Sequence, residues 1–319
     1  MPILEVKNLK IYYFTPSGIV KAVDGVDLYI ERGETRCIVG ESGSGKSTLG
    51  MGIAGLIDHP GRIVDGEVIF DGKIVASKNG IYTQKLLGRR ITLIFQDPRS
   101  ALNPVMTVGE QISETLQHNL GLDRREAYKI AYDLLRKVEI PDPERVLHSY
   151  PHELSGGMAQ RVVIAIALST EPDLIIADEP TSALDVTVQA EILRLFRSLV
   201  KSGKRSVLFI THDLSVALEI CDTTSIMYAG KIVEEGLTRE IFEKPLHPYT
   251  QALLSSIPRI GLKTEKLMSI SGEPPLMIEP PKGCRFHPRC PFKLEICDKQ
   301  EPILINLSET RRVACHLYK

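Results

Sequence analysis

The sequence predicts an α/β fold in which a parallel sheet carries helices on its faces, and three observations predict it. The apolar run Cys37-Ile38-Val39 leads straight into Gly40-Glu41-Ser42-Gly43-Ser44-Gly45-Lys46-Ser47 and then into a helix-forming stretch. Two later apolar runs end in polar chemistry: Leu174-Ile175-Ile176-Ala177 before Asp178-Glu179, and Val207-Leu208-Phe209-Ile210 before Thr211-His212-Asp213. Strand, loop and helix repeated in this order put function at the carboxyl ends of parallel strands.

From the N-terminus, Leu4 to Ile30 alternates apolar with polar residues and is broken by Pro16-Ser17-Gly18, which predicts two strands and a turn. Gly40 to Ser47 fits the pattern Gly, four residues, Gly-Lys-Ser of a phosphate-binding loop. At ordinary residue usage, chance supplies those four fixed positions in roughly one chain in a hundred of this length. Glycines let successive backbone N–H groups converge on phosphate oxygens, and the positive end of the following helix adds to the field. Gly40, Ser42, Gly43, Ser44, Gly45, Lys46, Ser47 and Thr48 are the expected nucleotide contacts, with Lys46 on the β/γ-phosphates and the Ser47 hydroxyl on Mg²⁺. A helix is expected from Ser47 to Ile57, a hairpin with Asp-Gly turn chemistry from Asp65 to Ile74, and a short strand from Ile91 to Phe95. Thr107 to Glu139 has helical spacing with interspersed charge, the pattern of a helical insert. From about Pro245, Pro, Gly and Cys become frequent and helical periodicity fades, so a C-terminal extension is placed beyond about Leu262.

Composition narrows the function class. The 319 residues are 43% hydrophobic and carry 39 basic against 40 acidic residues, a net charge of −1, which leaves no field to draw nucleic acid or an anionic membrane non-specifically. The longest apolar run, Val162 to Leu168, is far short of the roughly 20 residues that span a bilayer. The N-terminus has no charged-then-apolar signal region, so a cytosolic chain is expected, with any membrane contact made through a partner.

At the strand ends, Asp178 and Glu179 suit an Mg²⁺ ligand and a base that polarises the attacking water. Gln96 ends another strand and suits contact with Mg²⁺ and the water, and His212 ends a third and suits the γ-phosphate. Taken singly each could be a plain polar strand end; their shared position beside a phosphate loop favours the catalytic alternative. Leu154-Ser155-Gly156-Gly157-Met158-Ala159-Gln160-Arg161 opens a helix with Ser155 as N-cap, a second anion-binding helix terminus. His152-Glu153 begins like a metalloprotease helix, but no second His follows at the required spacing.

Together with Gln96, Ser182-Ala183-Leu184-Asp185 and His212, these motifs make the chain resemble the nucleotide-binding subunits of ATP-binding cassette transporters. The resemblance implies a P-loop NTPase core of RecA-like type with an antiparallel β subdomain and an α-helical subdomain over about 98–170, the whole spanning 1–262. It implies that Glu179, His212, Gln96 and Lys46 are catalytic, that Ser47, Gln96 and Asp178 hold Mg²⁺, and that Tyr13 stacks on adenine, with Tyr12 and Phe14 as neighbouring alternatives. Ser155, Gly156 and Gly157 would serve ATP on a partner subunit, and Asp185 the interface between subunits. The segments Phe95-Gln96-Asp97-Pro98, Leu102-Asn103-Pro104, Pro245-Leu246-His247-Pro248-Tyr249-Thr250 and Gly283-Cys284 through Cys315-His316 are similar to the oligopeptide/dipeptide importer ATPases. Such subunits work in prokaryotes on the cytoplasmic face of the membrane, with a second ATPase subunit, itself or a related one, two membrane-spanning permeases and an external substrate-binding protein. Nickel and some sugar importers share the pattern, and a soluble cassette ATPase or a regulatory ATP switch are the rival classes.

Residues 263–319 hold Cys284, Cys290, Cys297 and Cys315, while Cys37 and Cys221 sit in apolar contexts as expected core thiols. Four clustered cysteines in a reducing compartment suggest a metal centre that helps a small segment to fold. Zinc sites present closely spaced Cys pairs, which are missing here, and the step Cys290-Pro291 is like a ferredoxin-type ligand. A four-iron four-sulfur cluster is therefore expected over zinc, with His287 and His316 as alternative ligands and uncoordinated thiols as the third possibility.

Overall fold

The computed structural model describes residues 1–182, 184–200, 205–256 and 272–318. The chain divides into two compact units, Met1–Ile81 with Phe209–Lys319, and Tyr82–Leu208.

The first unit opens with β1 (Leu4–Thr15), β2 (Gly18–Ile30), β3 (Thr35–Val39), α1 (Lys46–Ala54), β4 (Gly61–Phe70), β5 (Lys73–Ser77) and β6 (Gly80–Ile81). Five of these strands form an antiparallel sheet in the order β2-β1-β4-β5-β6. The hairpin between β4 and β5 turns at Asp71 and Gly72, both at positive φ (50° and 75°), the backbone that a two-residue primed turn demands. β3 is buried at all five positions, as a strand covered on both faces must be.

The second unit holds β7 (Ile91–Ile94), α2 (Pro98–Ala101), α3 (Val108–Leu120), α4 (Arg124–Lys137), α5 (Pro143–Leu147), α6 (Gly156–Leu168), β8 (Leu174–Asp178) and α7 (Val186–Val200). β7 runs parallel to β8, from Ile91 opposite Leu174 to Ile94 opposite Ala177. The expected helical insert is a pair of helices. α3 starts in a capping box between Thr107 and Glu110 and stops at Gly121 (φ 72°); the Asp123 carboxylate then caps α4. Their apolar stripes, Val108, Ile112 and Leu116 on α3 and Ala127, Ala131 and Leu135 on α4, are fully buried.

The chain returns to the first unit within β9 (Ser206–Thr211) and continues through α8 (Leu214–Ile220), β10 (Thr223–Tyr228), β11 (Lys231–Leu237), α9 (Thr238–Glu243), α10 (Pro248–Ser255), β12 (Ile305–Asn306) and β13 (Arg312–Val313). β10 pairs parallel with β3, and β11, β13 and β12 extend that ladder antiparallel. Helical order persists past Pro245, contrary to the fading periodicity: Pro248 sits at the first turn of α10, and the His247 ring accepts the Tyr249 N–H as its cap. The last residues are stitched into the sheet. Glu234, fully buried on β11, accepts the N–H groups of Leu246 and His247, each at 2.9 Å, and pairs with Arg311, so a buried carboxylate is satisfied on every side. The expected boundary at Leu262 lies outside the described residues. No helix among the described residues is long and apolar enough to cross a membrane.

Candidate active site

In the first unit, Gly40 follows the end of β3, and a Cβ there would strike the Met227 carbonyl oxygen; one at Gly45 would strike that of Ala22. Gly43 and Gly45 take φ values of 78° and 100°, and a Cβ at Gly43 would meet nothing within 4 Å, so the rim of the loop is open. The loop is fastened from behind: Ser44 N donates to Glu41 O (3.2 Å), and Gly230 N donates to Ser44 O (2.8 Å). The Ser44 hydroxyl is buried with no protein partner among the described residues. α1 begins at Lys46 with Gly45 as N-cap and no side-chain cap, a helix end whose dipole suits an anion. Lys46 is 4% exposed, and its ammonium donates to the carbonyls of Gly40 (2.8 Å) and Glu41 (3.0 Å). Ser42 and Ser47 are exposed and Thr48 half-buried.

Of the three aromatic candidates on β1, the Tyr12 hydroxyl donates to Asp24 (2.6 Å), and burial together with that carboxylate pushes its phenol well above the ordinary range. Phe14 lies under the Arg62 guanidinium at 3.9 Å. Tyr13 packs beside Gly61, where a Cβ would come within 2.6 Å of its ring. His212 is exposed immediately beyond β9, and the next residue, Asp213, caps α8.

In the second unit, Asp178 ends β8 and Glu179 follows at φ 45°, a left-handed conformation that costs a non-glycine residue on the order of 1 kcal/mol. The turn is held by the Ser182 N–H (3.2 Å) and hydroxyl (3.1 Å), which both donate to Glu179 O. Gln96, exposed beyond β7, donates through Nε2 to Glu179 Oε2 at 3.4 Å, so the ends of two parallel strands bring two expected site residues together.

Ser155 caps α6, its hydroxyl accepting the Met158 N–H at 3.3 Å as its residue type predicts. The two glycines that follow differ. A Cβ at Gly157 would come within 2.6 Å of Val188 on α7, whereas one at Gly156 would meet only Leu184, at 3.8 Å. Arg161 anchors α6 by donating to Val138 O (2.7 Å) and Glu191 (2.8 Å). Asp185 accepts the N–H groups of Thr187 and Val188 at the start of α7; Ala183 lies outside the described residues.

Cys284, Cys290, Cys297 and Cys315 are all free thiols, and each interacts electrostatically with the other three. Backbone N–H groups of Phe286, Phe292 and Leu317 point at the sulfurs of Cys284, Cys290 and Cys315, and Leu294 N donates to Cys297 Sγ at 3.4 Å. Burial pushes Cys284 up to about 11. Among the described residues, no three His, Cys, Asp or Glu side chains gather closely enough to hold a metal ion, which supports neither the expected four-iron four-sulfur cluster nor zinc. His287 Nδ1 and His316 Nε2 are engaged with the carbonyls of Cys284 and Gln300.

One part of the site had no local signal in the sequence. Arg289 forms a two-pronged pair with Glu41, and the Tyr249 hydroxyl accepts the Glu41 N–H, partners 248 and 208 residues away along the chain.

The family model described as ABC transporter matches residues 23–182, and the model described as the C-terminal region of oligopeptide/dipeptide transporters matches residues 233–297. The chain is 46% identical over 99% of its length to the oligopeptide transport ATP-binding protein AppD of Bacillus subtilis, covering 97% of that protein. It is 44% identical over 99% of its length to the dipeptide transport ATP-binding protein DppD of Haemophilus influenzae, covering 96% of that protein. Among solved structures, the ADP- and Pi-bound dimer of the ATP-binding cassette MJ0796 is 30% identical, with a TM-score of 0.66, covering 74% of this chain and 99% of that one.

Proposed function

The chain belongs to the ABC transporter family, among the ATP-binding subunits of oligopeptide and dipeptide transporters, and from that premise we propose how its residues divide the work of ATP hydrolysis in a peptide importer. The observation that carries the function is near-complete coverage of peptide-transport ATPases at 44–47% identity, on a chain that keeps the phosphate loop, the strand-end acids and the capped Ser155 helix.

The glycine loop from Gly40 to Ser47 receives the β- and γ-phosphates on backbone N–H groups, and Lys46, held by the loop carbonyls, neutralises their charge. Mg²⁺ supplies charge neutralisation on the phosphate oxygens. Ser47, Gln96 and Asp178 offer it hydroxyl, amide and carboxylate oxygens, a hard donor set that suits the ion. Glu179, oriented by Gln96 and by its own turn, accepts a proton from the attacking water, and His212 contacts the γ-phosphate. Tyr13 is the adenine platform, supported by the engagement of Tyr12 with Asp24 and of Phe14 with Arg62. Ser155, Gly156 and Gly157 close on ATP held by a partner cassette, and Asp185 lies in that interface. Gly156 supports this role, because its open side lets a backbone approach a phosphate.

Residues 1–262 form the cassette, with α2 to α6 as its helical part, and residues 263–319 a C-terminal extension. There, Cys284, Cys290, Cys297 and Cys315 hold a [4Fe–4S] cluster. The N–H donors directed at all four sulfurs support it. The assembly docks this subunit on the cytoplasmic side of two permeases fed by an external peptide-binding protein, in a prokaryotic membrane.

Uptake of a labelled peptide by proteoliposomes carrying the assembled transporter tests the function. ATP-dependent uptake that disappears with Lys46→Ala is expected. Uptake of nickel or a sugar, with peptides inert, would assign another cargo.

A further inference from the structure

We propose that Arg289 and Tyr249 are positioning residues for ATP binding: they hold Glu41 at the head of the phosphate loop, so that its carbonyl keeps the Lys46 ammonium where the triphosphate arrives. Three groups of Glu41 are held at once. Its N–H donates to the Tyr249 hydroxyl (2.9 Å), its carbonyl accepts from Lys46 Nζ (3.0 Å), and its carboxylate takes Arg289 Nη1 (2.8 Å) on one oxygen and Nη2 (3.1 Å) on the other. The paired fork fixes direction as well as distance, which a lysine ammonium cannot do.

The Arg289 side chain is 5% exposed and that of Glu41 24%, so the pair is largely withdrawn from water and weakly screened. Arg289 Nη1 also donates to the Tyr228 hydroxyl at 3.3 Å. Behind it, Phe286 is buried against Tyr228 (ring centroids 5.2 Å) and Tyr249 (5.4 Å), which fixes the short turn His287–Arg289. The chain end therefore reaches the phosphate loop through a rigid aromatic cluster rather than through a mobile surface arm.

Two effects on ATP follow. Arg289 cancels a carboxylate that would otherwise face an incoming polyanion, and it fixes the peptide unit whose oxygen holds Lys46. The inference rests on the loop binding ATP, which the wild-type measurement checks separately.

The test is a double-mutant cycle on the full chain in the assembled importer, measuring KM for MgATP, kcat, and binding of a fluorescent ATP analogue for Arg289→Met, Glu41→Gln and the double variant. Arg289→Met is expected to raise KM about tenfold or more with a smaller change in kcat, since a charged hydrogen-bond partner is lost and a carboxylate stays unpaired. Adding Glu41→Gln removes that charge and is expected to bring KM back toward wild type. Arg289→Lys, with its charge but no fork, is expected to fall between Arg289→Met and wild type. A wild-type KM in Arg289→Met, or a double variant no better than Arg289→Met alone, would overturn the proposal, because collapse of the C-terminal residues would not be repaired by a change at Glu41. Failure of wild-type protein to bind ATP would instead remove the premise.

Discussion

Gln96 Nε2 donates to Glu179 Oε2 at 3.4 Å, joining the ends of the parallel strands β7 and β8. Glu179 is further constrained by its left-handed backbone (φ 45°), and its turn is closed by Ser182. The side chain proposed as base is thus directed by a neighbouring strand, and Gln96→Ala removes that contact. A fall of about tenfold in kcat is expected, matching one lost hydrogen bond to a charged group. Steady-state ATP hydrolysis by the assembled importer measures it.

The two glycines at the head of α6 separate folding from closure. Gly157→Ala brings a methyl within 2.6 Å of Val188 and is expected to lower the thermal midpoint, with a cost of about 1–3 kcal/mol for overpacking. Gly156→Ala meets only Leu184, at 3.8 Å, so its thermal midpoint should match wild type. If Gly156 faces ATP on a partner cassette, the same variant binds nucleotide normally and loses most of its ATPase activity. Calorimetry alongside ATPase assays distinguishes the two.

His247 gives the fold a pH dependence of known sign. His247 is 1% exposed; Nδ1 accepts the Tyr249 N–H at 3.0 Å, and Nε2 has no protein partner among the described residues, so the neutral ring is the form that fits. Burial pushes its pKa down to about 3. Above the ordinary value of about 6.5 both folded and unfolded chains keep the ring neutral and nothing is lost. Below it, only the unfolded chain takes up the proton, so stability falls with pH until about pH 3, by about 2 kcal/mol at pH 5. Urea unfolding at pH 7 and pH 5 should show that loss in wild type, and less of it in His247→Asn, whose side-chain oxygen still caps Tyr249 N.

Much of this was legible in the chain because it is local. The Gly40–Ser47 spacing, the acids after an apolar strand, the Ser155 cap and the Asp-Gly turn each depend on residues within a few positions of one another. Distant pairings were not legible. Nothing near Glu41 announces Arg289, and nothing near Glu234 announces Arg311, since these ion pairs join residues 248 and 77 positions apart and exist only once the chain has folded. α10 escaped the periodicity reading because eight residues give too few turns for an apolar stripe, and its start is set by His247 and Pro248. The engagement of the Tyr12 hydroxyl with Asp24 could not come from composition either, since it depends on where Asp24 lies across the β1–β2 ladder.

Photo-crosslinking of 8-azido-ATP, labelled at both the α- and γ-phosphates, reports hydrolysis on this chain alone within the assembled importer. Wild type should lose the γ-label and keep the α-label. Glu179→Gln should bind as much analogue and retain both labels, with γ-loss slowed about 100-fold or more, the contribution of a positioned general base. Loss of the γ-label at the wild-type rate in Glu179→Gln would contradict the assignment of Glu179 as the base.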